Sequence, residues 1–439
     1  MERRTLAKLA AGNLLLCSLA LAISCDCLCR SKPTTVGTAP SRSPGQGFDG
    51  KPEAWRFVVS GDSRNCGDVV MPAIAAGAKA DRASFYWHLG DLRAIYDFDQ
   101  DMVQAAALKG KHLNIIAYEN DAWDDFKRNQ IAPFENIPIP FYLGIGNHET
   151  IPPKTRCEFV KTFAASLDRP ELQDGKSSPA QGSQTKGQTT APAKSKVGAG
   201  EETQSDAGNA CAKQCADCAK LQTKTYYHWS KAGLDFIYLD NASDEQFDRA
   251  QLNWFDRVLQ KDTDDKSITT VVVGMHKALP WSITCDHSMN ESPQQGTPSG
   301  VEVYRKLLDL EKKNKKVYVL ASHSHYFMSD IFNTDHWRKK EGVLPGWIIG
   351  TAGAERYPLP PKAELTNSKT YTYGYLLARV FSDGTIDFAF TELKQADIPI
   401  EIKSRYTAQW IGEACFDGNR KTEKTEEPDY CKDTAEQKQ

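Results

Sequence analysis

Five short apolar runs, each breaking off at a polar side chain, set the pattern of this chain. FVVSGD (57–62) ends at Asp62, FYWHLGD (85–91) at Asp91, IPFYLGIGNH (139–148) at Asn147 and His148, TTVVVGMH (269–276) at His276, and VYVLASHSH (317–325) at His323 and His325. Every run is β-branched or aromatic and short enough for a buried strand. Laid side by side, such strands bring their carboxyl ends to one crevice, the usual ligand position of an open α/β sheet. Two Asp, one Asn and three His gathered there make a set of hard and borderline metal ligands.

Helical spacing appears between these runs. Residues 69–82 carry Ala and Ile at helix-like intervals, predicting a β–α–β start. Residues 245–261 place Phe247, Leu252, Phe255, Val258 and Leu259 largely on one face, and residues 301–313 do so with Val303, Leu307, Leu308 and Leu310. Further strands are predicted at YYHW (226–229), LDFIYLD (234–240) and GWIIGTAG (346–353), and a hairpin over 373–393 turns at Ser382-Asp383-Gly384. Residues 26–54, rich in Ser, Pro, Thr and Gly, read as a flexible linker. A polar block over about 168–220 cannot bury enough apolar surface to offset its ordering entropy, so it reads as an insertion in a domain spanning 55–395. Residues 396–439 are polar and predict a mobile tail.

The amino end adds a compartment. Arg3, Arg4 and Lys8 precede an apolar stretch, Leu9 to Ile23, of signal-peptide length, giving an export signal over residues 1–25. Ala22-Ile23-Ser24-Cys25 resembles a bacterial lipoprotein processing box. Three readings stay open: membrane attachment through a lipidated Cys25, cleavage and simple secretion, or a retained anchor with an incidental Cys. All predict an exported chain at the cell envelope, in the periplasm or on the outer surface. Twelve Cys in an exported chain point to disulfides. A bridge at Cys66 would stiffen the loop after Asp62, Cys415 and Cys431 could close a local loop, and Cys211, Cys215 and Cys218 read as disulfide partners, one of them for Cys157. With 54 basic and 57 acidic residues and a net charge of -3, the chain is not a nucleic-acid binder by bulk charge. Its oligomeric state is not legible.

The residue types favour a particular chemistry. A bridging carboxylate, a second small ligand and several imidazoles suit two divalent ions roughly 3.5–4 Å apart. Glycine before each Asp allows a sharp turn at the strand end. In Ser322-His323-Ser324-His325, alternate residues of an extended segment supply two imidazoles to one side.

Taken in order, these blocks resemble the calcineurin-like metallophosphoesterase superfamily, and more closely its purple-acid-phosphatase-like exported branch; Gly146-Asn147-His148-Glu149 is the most specific block. The resemblance spans about residues 55–395 without the insertion. It implies an α/β fold, a four-layer α/β/β/α sandwich with two mixed β-sheets. It also implies that Asp91 bridges two ions, Asp62 and His325 hold one, and Asn147, His276 and His323 hold the other. His148 would meet the substrate and protonate the leaving oxygen. The cofactors implied are one or two divalent or mixed-valence ions of Fe, Mn or Zn. The activity implied is hydrolysis of a phosphate mono- or diester, on a small molecule or polymer, by a metal-bound hydroxide.

Two departures stand out. Asp62-Ser63-Arg64 replaces the usual Asp-x-His, and Ala94 stands where purple acid phosphatases carry a Tyr, with Tyr96 two residues out of register. A guanidinium is a poor metal ligand. The first ion is therefore short of one protein ligand, and is weakly held, completed by water, or absent. Arg64 either grips the substrate phosphate or pairs with Asp62 in place of an ion; Arg93 is a second candidate for the phosphate. His287 and His336 are candidates for the missing ligand, His88 reads as core, and Trp281 either lines the pocket or anchors a loop. The altered block also supports a different class, an envelope-anchored binding or scaffold protein on a degenerate fold.

Overall fold

The computed structural model describes residues 52–172, 224–361, 363–423 and 428–431. The expected signal, Cys25 with its expected lipid, most of the linker and the insertion with Cys211, Cys215 and Cys218 lie outside the described residues.

The predicted strands form two mixed sheets, as the resemblance implies. The first sheet joins β1 (Glu53–Ser60), β2 (Tyr86–His88), β3 (Phe141–Leu143), β11 (Tyr373–Phe381) and β12 (Ile386–Leu393) in the order β12-β11-β1-β2-β3. The second joins β4 (Tyr227–Lys231), β5 (Leu234–Leu239), β6 (Thr270–Met275), β7 (Lys316–Ala321), β8 (Phe327–Ser329), β9 (Gly346–Ile349) and β10 (Ser368–Lys369) in the order β10-β8-β9-β7-β6-β5-β4. Both are mixed: β1, β2 and β3 run parallel beside an antiparallel β11, and β5, β6, β7 and β9 run parallel with antiparallel β4 and β8 at the flanks.

Aromatic side chains fill the space between the sheets. Phe57 meets Phe236 edge-on at 5.2 Å, Trp87 meets Trp229 at 5.1 Å, and Tyr142 stacks on Trp229 at 4.1 Å. Such pairs hold two sheets face to face while adding about 0.5–1.5 kcal/mol each beyond area burial. Helix Gly67–Ala80 lies on β11 and β12, burying Val69, Val70, Met71 and Ile74. Helices Arg249–Asp264 and Gly296–Lys312 share a second core with the other sheet, through Leu252, Phe255, Val258, Val303 and Leu307. The result is the α/β/β/α order that the resemblance implies. Asp248 caps the first of these two helices by accepting from the Gln251 amide at 2.7 Å, so Phe247 precedes the helix, although it is buried.

The carboxyl-terminal expectation is corrected. Residues 396–423 are packed, not a mobile tail. Ile402, Tyr406, Ile411 and Cys415 are all buried and recur every four or five residues, a sparse apolar face inside a polar composition. Arg356 donates to the carbonyls of Cys415, Phe416 and Asn419, and Tyr406 donates to Asp68 at 2.9 Å. Nor do Cys415 and Cys431 close a local loop: Cys66 pairs with Cys415, and Cys285 with Cys431. Cys157 is also disulfide-bonded. The Cys66–Cys415 bridge fastens the loop after Asp62 to this segment. Replacing both cysteines by serine should lower stability by about 2–5 kcal/mol, read as an earlier denaturant midpoint under non-reducing conditions.

Candidate metal centre

The site lies where the carboxyl ends of β1, β2 and β3 meet those of β6 and β7. Two backbone hydrogen bonds clamp the junction, Gly61 N to the Ile349 carbonyl and Ala352 N to the Gly61 carbonyl, both 3.0 Å. The turns differ in detail from the expectation. Asp62 (φ 60°), Asp91 (φ 59°) and His323 (φ 66°) themselves adopt left-handed backbone. For residues with a Cβ this costs about 1–3 kcal/mol each, and such strain concentrates at functional sites. The glycines have separate tasks. Gly90 (φ 99°) packs so closely that a Cβ would lie 2.5 Å from Gly146 N, and a Cβ on Gly146 would strike the Asp91 carboxylate. Only glycine lets the second and third strand ends approach this far.

Buried polar groups aim the ligands. Glu149 accepts backbone N–H bonds from Asp91 (2.9 Å), Leu92 (2.9 Å) and Gly146 (2.7 Å), locking two ligand loops together. Asp62 Oδ2 accepts from the Ser322 hydroxyl and from His323 N. The ring Nδ1 of His276 donates to the Leu89 carbonyl (3.0 Å), that of His325 to the Glu355 carbonyl (2.6 Å), and that of His148 to the Ala94 carbonyl (2.6 Å). Each bond fixes the tautomer and turns Nε2 toward the site.

Two donor sets result, and they share Asp91: Asp91, His276 and His323, and Asp62, Asp91 and His325. In the first, His276 Nε2 lies 3.1 Å from Asn147 Oδ1, 3.1 Å from His323 Nδ1 and 3.3 Å from Asp91 Oδ1. Four lone-pair atoms thus face one another and require a cation between them. Burial disfavours a charge on His276, yet Asp91 and Asp62 outweigh it and hold the imidazole up at about 9. A proton satisfies the cluster in the place where an ion fits. Burial pushes His323 down to about 3, and burial with the adjacent Arg64 pushes His325 down to about 4, so both stay neutral. Asp62 Oδ1 and Asp91 Oδ2 are buried and have no hydrogen-bond partner. Carboxylate oxygens left so in a protein interior are costly unless a cation takes them. The residues present therefore fit a metal at Asp91, Asn147, His276 and His323. The set at Asp62 and His325 has three donors and a neighbouring cation, Arg64.

The remaining expectations divide. His148 is buried, with Nε2 3.7 Å from Asp91 Oδ2. Arg64 does not pair with Asp62: it donates to His325 Nε2 (3.1 Å) and Tyr96 Oη (3.4 Å), and its Nε is 4.0 Å from Asp91 Oδ2. Arg93 is corrected as a phosphate contact. It is wholly buried among Asp68, Asp99, Asp101 and Asp125, and two of these also accept the amides of Asn65 and Asp68, so it ties the loops after Asp62 and Asp91 to each other. His88 is core, bonded to the Ser63 hydroxyl at 3.0 Å. His287 and His336 join neither donor set: the His287 ring is 5.8 Å from that of His323, and His336 stacks on Trp281 at 4.6 Å.

Sequence reasoning missed Glu291 and Lys277. Glu291 Oε2 lies 2.7 Å from Lys277 Nζ and 3.7 Å from His323 Nε2. Burial opposes its charge, but His323 and Lys277 hold Glu291 down at about 2. It is the carboxylate behind a ligating imidazole. Lys277 directly follows His276, which was a legible hint; Glu291 ends a single 3-10 turn, Met289–Glu291, that no periodicity marks.

No protein-family model and no curated protein matches this chain. Among solved structures it is similar to purple acid phosphatase PPD1 from yellow lupin seeds (14% identity, TM-score 0.45, covering 78% of this chain and 53% of that one). It is also similar to a dimetal phosphatase from Danio rerio (11%, TM-score 0.42, covering 77% and 96%) and to PhoD (12%, TM-score 0.42, covering 79% and 70%). The chain spans about half the length of the lupin enzyme. The functional reading rests on the geometry of the site itself.

Two outcomes follow. Glu291→Gln should weaken metal binding about 10–100-fold, as loss of such outer support does, measured by metal titration. Because His276 holds a proton up to about 9, affinity should rise with pH from neutrality to that value, and binding near pH 7 should release about one proton per ion. Calorimetry in buffers of different ionisation enthalpy reads that proton directly.

Proposed function

We propose that this chain is a metal-dependent phosphoesterase acting outside the cytoplasm. The observation that carries the reading is the pair of donor sets sharing Asp91, with one oxygen of each Asp buried and unpartnered. An ion bound there supplies Lewis-acid stabilisation of a phosphoryl oxygen and brings the pKa of a coordinated water toward neutrality.

The protein's own groups account for the rest. His148, held by the Ala94 carbonyl, presents Nε2 beside Asp91 and hands a proton to the leaving oxygen. Burial keeps this ring below the ordinary imidazole range, with Asp91 pulling it upward. A phosphate dianion arriving beside it favours the protonated form, so the proton is gained as substrate binds. Arg64 supplies a fixed positive charge and N–H donors to phosphoryl oxygens. Tyr96, 61% exposed, stands at the rim with its ring 5.1 Å from that of His148. The disulfides Cys66–Cys415 and Cys285–Cys431 suit an oxidising compartment, in keeping with the exported, purple-acid-phosphatase-like branch and with attachment through Cys25. Phosphorylated small molecules or polymers are the substrates.

Protein loaded in turn with Mn, Fe and Zn should hydrolyse aryl phosphate mono- or diesters, and Asn147→Ala or His276→Ala should abolish turnover. His148→Ala should lower kcat about 10²–10⁴-fold on alkyl esters, whose poor leaving groups need a proton, and much less on aryl esters. Absence of turnover with every metal, together with no bound metal by elemental analysis, would overturn the enzyme in favour of a binding or scaffold protein.

A further inference from the structure

We infer that the two halves of this centre take different cations: one divalent ion at Asp91, Asn147, His276 and His323, and the guanidinium of Arg64 in place of a second ion between Asp62, Asp91 and His325. The inference deepens the phosphoesterase reading and rests on it for the chemistry, though not for the count of ions.

The first half is built for an ion. Asn147 Oδ1, His323 Nδ1 and Asp91 Oδ1 converge on His276 Nε2 at 3.1–3.3 Å, and each of the three offers a lone pair. The nearby cationic side chain, Lys277, is turned away, with Nζ on Glu291 Oε2 at 2.7 Å behind His323. Among the described residues, no Lys or Arg side chain reaches the centre of the cluster, where an ion has only the His276 proton to displace.

The second half is built differently. It has three donors, and one of them is already engaged: Arg64 Nη2 donates to His325 Nε2 at 3.1 Å. Because Nδ1 of that ring gives its proton to the Glu355 carbonyl, Nε2 has one lone pair, the same one an ion would need. An ion about 2.0–2.2 Å from Asp62 and His325 would stand only a few Å from a guanidinium that never loses its charge. In a site this buried, that repulsion is little screened. Arg64 is 8% exposed and lies between His325, Tyr96 and Asp91, so leaving would strip the carboxylates of their cation.

The unpartnered atoms support the same division. Asp62 Oδ1, Asp91 Oδ2 and Arg64 Nε are all buried without a hydrogen-bond partner, and Nε is 4.0 Å from Asp91 Oδ2. The third donor of the set, His325 Nε2, lies 3.2 Å from Asp62 Oδ1, but its lone pair is already taken by Arg64; what is left is two acceptors and one N–H donor, and an N–H cannot face a metal. They match a small oxygen group that both accepts and donates, such as water or a protonated phosphoryl oxygen. Arg64 thereby supplies the second charge without a second ion.

The test uses Mn(II) as the probe, with stoichiometry from elemental analysis after desalting and coupling from electron paramagnetic resonance. The wild-type protein should retain one Mn per chain and give an isolated six-line signal. Arg64→His, and more weakly Arg64→Ala, should admit a second ion and convert the signal to that of an exchange-coupled pair. His276→Ala should lose more than about 100-fold in Mn affinity, beyond what loss of outer support costs, while His325→Ala stays within a few-fold of wild type. Two ions and a coupled signal in the wild type would overturn the inference, as would one ion in both Arg64 variants. Two ions with hydrolysis would leave the phosphoesterase reading intact; one ion without hydrolysis under any metal would do the reverse.

Discussion

Two carboxylates buried at the junction of two sheets are the constraint to which the rest of this structure answers. Asp62 and Asp91 are fully buried, and each keeps an oxygen free of hydrogen bonds. Such groups persist only where compensating charge is close and the backbone is held rigid. The left-handed conformations of both residues, the glycine contacts at Gly90 and Gly146, and the three amides on Glu149 all serve that holding. Arg93, with its four acidic neighbours, is a separate buried charge network whose effect is to fix the two Asp loops relative to each other.

The parts legible in the sequence were those with a local signature. Each ligand followed a strand whose apolar run stopped at a polar residue, and the helix near 67–80 showed its face through Ala and Ile. Relations between distant segments were not legible. Arg93 and Arg64 are both arginines close to a Gly-Asp block, yet one is locked in a buried acidic network and the other faces the site, because the packing of the segments around 99–125 decides which guanidinium is enclosed. Disulfide pairing likewise depends on where loops return in space. The carboxyl-terminal segment looked polar because its few apolar residues are widely spaced, and those few are the ones that dock. Glu291 acts only through His323, so nothing in its own neighbourhood marks it.

An asymmetric centre has a mechanistic logic. A guanidinium delivers charge and directed N–H bonds without demanding a coordination sphere, whereas a metal ion can also activate water. In the division proposed above, the half bearing Asn147, His276 and His323 would carry the reactivity and the half bearing Asp62 and His325 the electrostatic grip. The outer support follows the same division, since Glu291 and Lys277 stand behind His323, on the metal side.

The bridge from Cys66 to Cys415 joins residues 349 positions apart. It turns nearly the whole folded body into one covalent ring. A protease cut anywhere between Leu172 and Lys224 would open the chain but not release either piece, since Cys66 lies on one side and Cys415 on the other. Asp62, Asp91 and Asn147 would belong to one fragment and His276, His323 and His325 to the other, still assembled around the same centre.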